Sequence, residues 1–347
     1  MIRLLGLALA LFALFTGACT SRAFKTAPYA LHPQIGPGDI YQGIRLLGAL
    51  RLASVKIDGL DLCGLSGLAW DEDEGLLYAV SDRGVLFHLR PQFDGQGYLS
   101  GASVAAARPL QAASGNPLSR PFRDSEGLAI RNGHNQIRGD AELLISFEAK
   151  PRLVRYRPTG EWQGDVTLPL TLRKLYHYRN SNQALEAVAI DPEWGAVTGP
   201  ELALRNDPKS LVRLFTTGGR FWFYPLGDAP GSALVAMEAL PEGGLLTLER
   251  AFVSILHPFT ISLRRTELPR PTKPARLEVR DVAVFDTGQG WLMDNFEGLS
   301  HYRDRRFFMV SDDNCNGLQS TLLVYFEVLP FGLKPGTTLD VERHMTY

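Results

Sequence analysis

One pattern recurs along the chain and limits what it can fold into. An acid or serine is followed by glycine or alanine and an apolar run, and after a turn comes a second apolar run that itself ends in an acid. It is clearest between Asp294 and Asn314, where Asn295-Phe296-Glu297-Gly298-Leu299 opens one expected strand and Val310-Ser311-Asp312-Asp313-Asn314 closes the next. Ser66-Gly67-Leu68 with Asp82, Glu126-Gly127-Leu128 with Glu148, Glu186-Ala187-Val188, and Glu238-Ala239-Leu240 with Glu249 repeat the design. Counted from Ser66 through Glu126, Glu186 and Glu238 to Glu297, the intervals are 60, 60, 52 and 59 residues. A period of that size made of short strands and turns predicts an all-β chain folded as one β-propeller, with about four strands per blade. Five units are read, and a sixth, degenerate blade stays open. The 34 glycines and 22 prolines suit the many tight turns this requires.

The ends of the chain set its boundaries. Met1-Ile2-Arg3, an apolar run from Leu4 to Phe15 and then Thr16-Gly17-Ala18-Cys19 read as a signal peptide over 1–18, because twelve apolar residues are too few to span a bilayer. Export to the periplasm is therefore expected. Cys19 after small residues also resembles a lipobox, which leaves two fates open: a lipid anchor at Cys19, the one expected contact with a membrane, or ordinary cleavage. Residues 19–39 read as a linker, 40–330 as the propeller and 331–347 as a polar tail. The last blade, ending with Ser320 to Leu329, lacks an outer strand that Ile44 to Ile57 can supply, so that no sheet edge stays free. Cys63 lies three residues before Ser66 and Cys315 three after Asp312. If the first and last blades are neighbours in a ring, a disulfide between these cysteines would lock it; two unrelated buried thiols are the other reading.

The repeated acids point to the chemistry. Innermost strands of a propeller crowd around its axis, so the small residue beside each acid permits close backbone approach. Glu126, Glu186, Glu238 and Glu297 then form one candidate ring. Asp82, Glu148, Glu249 and Asp312, with Asp313, form a second at the same mouth. So many carboxylates repel one another and take up protons unless compensated. Calcium, which prefers several oxygen ligands, is one compensator; the adjacent Arg83, Arg123, Lys150 and Arg250 are another. The competing reading is architectural, each acid accepting backbone N–H groups from the next blade. Ser66 breaks the acid pattern, which leaves two readings, a nucleophile or a capped turn, with the turn favoured.

Other chemistries are absent from the sequence. Gly64-Leu65-Ser66-Gly67-Leu68 places its second glycine one residue early for a Gly-x-Ser-x-Gly elbow, and there is no His-Glu-x-x-His and no Walker loop. The 7 histidines show no metal-ligand spacing. A formal net charge of −1 gives no electrostatic case for nucleic acid. Phe221-Trp222-Phe223-Tyr224 alternates as a strand packed between blades should. The chain is expected to act as a monomer.

The Glu-Gly-Leu openings, together with the final pair of strands from Asn295 to Asn314, resemble the bacterial phytase-like family, known as "esterase-like activity of phytase". The likeness covers about residues 60 to 328. It implies an exported propeller with a phosphoester or ester hydrolase activity, and propeller phytases hold calcium with acids at the channel mouth. By motif match the resemblance carries over Glu126, Glu297, Asp312 and Asp313; Glu186-Ala187-Val188 and Ser66 depart from it. Two classes of function follow. One is a calcium-dependent hydrolase of phosphate esters or other small esters, with catalytic roles for Glu126, Glu297 and Asp312 and with Arg83 or Arg250 steadying the anionic substrate. The other is a non-catalytic propeller that binds a ligand or partner protein at the same mouth.

Overall fold

Leu76–Ser81 is buried at every position and Glu142–Phe147 at all but its first. Strands that are apolar on both faces have to be covered on both faces, and in this molecule each sheet is sandwiched between two others. The computed structural model describes residues 25–254, 256–270 and 273–330. Besides a two-stranded hairpin of Lys56–Ile57 and Leu60–Asp61, they form five antiparallel sheets arranged as the blades of a propeller.

Blade one runs outward through Leu65–Asp71, Leu76–Ser81, Val85–Phe93 and Leu99–Pro109. Blade two follows with Ser125–Arg131, Glu142–Phe147, Arg152–Tyr156 and Trp162–Val166. Blade three comprises Leu185–Asp191, Gly195–Pro200, Leu211–Thr216 and Phe221–Pro225; blade four comprises Ser232–Ala239, Leu245–Ala251, Thr260–Thr266 and Val279–Asp286. Blade five takes Asn295–His301, Arg306–Asp312 and Leu322–Val328 from the C-terminal part of the chain and Ile44–Leu52 from the N-terminal part. Closure thus occurs as expected, and the count is five. Thr26–Pro28 adds to Ile44–Leu52, and Leu31 is buried nearby, so the stretch read as a linker contributes to the closing sheet. The expected leader at 1–18, Cys19 and the tail at 331–347 lie outside the described residues.

The core is divided among the blade interfaces. Phe296, Phe307 and Val324 of blade five meet Leu246, Leu248 and Ile261 of blade four, and four similar clusters fill the other gaps. Trp222 and Tyr224 are fully buried while Phe221 and Phe223 are partly exposed, the alternation expected for that strand. One strand differs from expectation. The apolar run from Val253 to Leu263 predicts one continuous strand, yet the strand starts only at Thr260, and residues 252–254 and 256–259 lie outside any strand. Pro258 has no N–H for a ladder, and Ser254 Oγ hydrogen-bonds His257 Nδ1 at 2.8 Å to turn the chain.

Candidate functional site at the channel mouth

Every inner strand carries a break in register near its start. The breaks fall between Leu65 and Gly67, Ser125 and Leu128, Leu185 and Ala187, Leu234 and Ala236, and Phe296 and Gly298. A bulge adds an unpaired residue and re-aims its side chain out of the strict alternation. The residues so released are Ser66, Glu126, Glu186, Val235 and Glu297. The small residue that follows is required by the approach of the next blade: a Cβ on Gly67 would lie 2.5 Å from the Glu126 carbonyl oxygen, and one on Gly127 2.5 Å from that of Glu186.

Register also identifies the second tier. Ser81, Phe147, Pro200, Glu249 and Ser311 pair with the residue just before each bulge, and the next residue along is Asp82, Glu148, Glu201, Arg250 and Asp312. All five of these line one open cavity of about 990 Å³, together with Glu126, Glu186, Glu297, Asp124 and Asp294. Seven carboxylates and a single guanidinium therefore occupy the ten ring positions, and blade four is the blade without an acid.

Arg250 ties two of these acids together. Its Nη2 donates to Glu201 and its Nη1 to Glu297, both at 2.7 Å, and Asn295 Nδ2 also donates to Glu297 at 2.9 Å. Burial disfavours the charged guanidinium, but the carboxylates of Glu297 and Glu201 outweigh it and the pKa of Arg250 is raised. Glu148 accepts the Ala184 N–H at 2.8 Å and Asp312 that of Asn314 at 2.6 Å. Desolvation pushes Glu148 to about 8, with the Ala184 N–H opposing in part, and Asp312 to about 8, with Glu297 adding to the rise. Glu126 and Glu186 are raised well above 4.5, first by burial and then by neighbouring acids, and among the described residues neither carboxylate has a hydrogen-bond partner. Asp82 is raised by burial despite the nearby Arg83.

Oxygen atoms of Asp124, Glu126 and Glu148 lie within 4.8 Å of one another, as do those of Glu148, Glu186 and Glu201. All-oxygen groups of this kind, largely buried and each holding one carboxylate without a hydrogen-bond partner, fit a hard divalent cation and suit soft metals poorly.

Several residues read as site candidates lie elsewhere. Glu238 falls three residues past its bulge position and accepts N–H groups of Ala239 at 2.9 Å and His301 at 3.3 Å; burial raises it to about 7. Glu249 is one residue short of the mouth and is saturated by Tyr224 Oη, the Gly227 N–H, Ser232 Oγ and Arg264 Nη1. Asp313 accepts from the N–H groups of Gly64 and Cys315, each at 2.9 Å, and from Thr321 Oγ1 at 3.0 Å. These three acids hold blades together, as the architectural reading anticipated. Arg83 and Lys150 are exposed and, like Arg123, do not line the cavity. Ser66 makes one long contact, to the Gly64 carbonyl at 3.4 Å. Cys63 and Cys315 are bridged, their Cα atoms 5.0 Å apart across the junction of blades one and five. Glu201 was missed. Its strand, Gly-Ala-Val-Thr-Gly-Pro, has glycine and proline at positions where an apolar alternation would have flagged it; the distance from the bulge at Glu186 was the signal available.

A family model described as "Phytase-like: Esterase-like activity of phytase" matches residues 61–315, well over half of the chain. No curated protein matches it. Among solved structures, the Cps50 (Swd1) β-propeller domain of Myceliophteria thermophila is similar at 12% identity and a TM-score of 0.36, over 88% of this chain and 98% of that one. A likeness that distant carries no argument about function.

Proposed function

Because the chain belongs to the phytase-like family, that of the esterase-like activity of phytase, we propose that its channel mouth hydrolyses phosphate esters or other small esters with the help of a hard divalent cation, calcium before others. The observation that carries this reading is the pair of buried, unpartnered carboxylates, Glu126 and Glu186, each part of a three-carboxylate group with Glu148. Asp124, Glu126, Glu148, Glu186 and Glu201 are the residues that would hold the cation. Its contribution when bound is to neutralise these acids, polarise the ester oxygen and make water more acidic.

The remaining residues have separable tasks. Arg250 lines the cavity with its guanidinium fixed by Glu201 and Glu297, and so presents positive charge to an anionic substrate at a set position. Asp312 lies in the same cavity outside both carboxylate groups, and its pKa near 8 suits proton transfer close to neutral pH: it accepts a proton from the attacking water and returns one to the leaving oxygen. Glu297 positions Arg250. The reading includes export, which the expected leader supports and with which a disulfide accords, since such bridges persist in oxidising compartments.

Calorimetric titration of the purified protein with calcium, followed by phosphate-ester and carboxylester substrates with calcium or with chelator, tests this. We expect binding and chelator-sensitive turnover. Failure of calcium to bind at about millimolar concentration, together with no ester hydrolysed, would remove the proposal and leave a propeller that only binds.

A further inference from the structure

Blade four is exceptional at both tiers of the mouth, with Val235 buried in the interblade core where blades two, three and five have glutamate, and Arg250 where the others have an acid. The loop above this break in the acidic ring carries no acid and brings two phenylalanines to the cavity, with Ser254 and His257 between them. Two residues after Arg250 the chain enters residues 252–259, and Phe252, Phe259 and Met293 line the cavity on that side together with Ala233. Phe252 is 51% exposed, Val253 52% and Leu256 88%. Phe252 stands edge-on to Phe259, ring centroids 6.2 Å apart at 65°, so its orientation is held by a partner.

We infer that the substrate is an ester whose alcohol or acyl part is apolar, aromatic for preference, seated on Phe252, Phe259 and Met293 while its anionic end meets Arg250 and the carboxylate-held cation. This rests on the reading of the mouth as a hydrolytic site and adds its specificity. The division of the cavity carries the inference: acids occupy the sides formed by blades one, two, three and five, and the side that lacks them presents Phe252, Phe259 and Met293 among the uncharged or weakly basic Ser254, His257 and Thr287. A phosphorylated polyol would leave that wall facing water, whereas an aryl group would cover it, and contiguous exposed apolar surface marks a binding site more often than bare surface. Arg250, the one guanidinium at the ring positions, stands at the boundary between the two halves, where the ester group of such a molecule would lie.

The test compares two phosphonates that share the anionic group and differ in the apolar part. Phenylphosphonate and 2-hydroxyethylphosphonate are titrated calorimetrically into the calcium-loaded full chain and into its Phe252→Ala and Phe252→Leu variants, with thermal melts to check folding. Wild type should bind the phenyl compound about tenfold more tightly; Phe252→Ala should bring the ratio close to one, and Phe252→Leu should keep most of it. Equal affinities in wild type, a ratio unchanged in Phe252→Ala, or binding of neither compound overturns the inference. Phenyl phosphate and glycerol phosphate are then offered as substrates. Equal turnover of both would leave the hydrolase reading standing and refute the apolar specificity, whereas a phenyl preference in binding without turnover of either would do the reverse.

Discussion

Replacing Glu148 by glutamine separates an acid kept for a cation from one kept for architecture. Glu148 is common to both carboxylate groups and accepts the Ala184 N–H at 2.8 Å. Burial lifts it from 4.5 to about 8, against the pull of that N–H, and Glu201 adds to the rise. An acid whose pKa is higher in the folded state holds its proton more tightly there. Its contribution to stability is therefore complete below about pH 4.5 and lost as the pH climbs through about 8. At about 1.4 kcal/mol per pH unit, ionising Glu148 without a cation costs about 5 kcal/mol of folding free energy by about pH 8.5. Glutamine cannot ionise. It keeps an oxygen for the Ala184 N–H and gives up part of a charge-assisted bond worth about 1.5–3 kcal/mol. Glu148→Gln should therefore be more stable than wild type by about 2–3 kcal/mol in chelator at about pH 8.5, and equal or slightly weaker at about pH 5. Calcium should reverse the order, because wild type gains about 2.7 kcal/mol at a hundredfold excess over Kd and the variant gains less. Urea unfolding at the two pH values, in chelator and in calcium, reads all four states. A variant weaker than wild type in chelator at high pH, or equal calcium stabilisation of both, would refute the reasoning.

Two further perturbations test the frame around the mouth. Arg250→Met leaves Glu201 and Glu297 buried without their partner and should cost about 3–5 kcal/mol near pH 8, and less near pH 5, because burial raises both carboxyls and favours their protonated forms as the pH falls; urea midpoints at the two pH values measure it. Reducing the Cys63–Cys315 bridge, or replacing both cysteines with serine, should lower stability by about 2–4 kcal/mol in guanidinium unfolding, and alkylation of the unfolded, unreduced protein should find neither thiol free.

Much of the molecule was legible because a propeller repeats. The recurrent acid-small-apolar opening gave the blades, the closing strand within Ile44 to Ile57 and the juxtaposition of Cys63 with Cys315, and it placed Glu126, Glu186, Glu297, Asp82, Glu148 and Asp312 at one end. The fourth repeat was misread for a physical reason. Met237-Glu238-Ala239-Leu240 imitates the signature, yet the register break falls between Leu234 and Ala236, three residues earlier, and a break in pairing leaves no mark in composition. On the partner strand Glu249 stood in for Arg250, one residue further on. Val253 to Leu263 reads as strand because its apolarity fits one; that Phe252 and Phe259 face a cavity depends on Pro258 and the Ser254–His257 turn, which is tertiary information. The role of Asp313 was hidden because its partners, Gly64 and Thr321, belong to two different blades.

The bulges carry an implication for how such a mouth can change over time. A side chain released from the alternation of its strand can be exchanged without slipping the strand by a residue, and it can turn either to the mouth, as Glu126 does, or into the interblade core, as Val235 does. Acid, serine and valine already stand at the first tier of this one chain, and acid and arginine at the second, all on the same backbone. The five blades therefore act as interchangeable holders of two variable residues each, and a new pattern of charge around the axis is reached by point substitutions that leave the core sequence as it is.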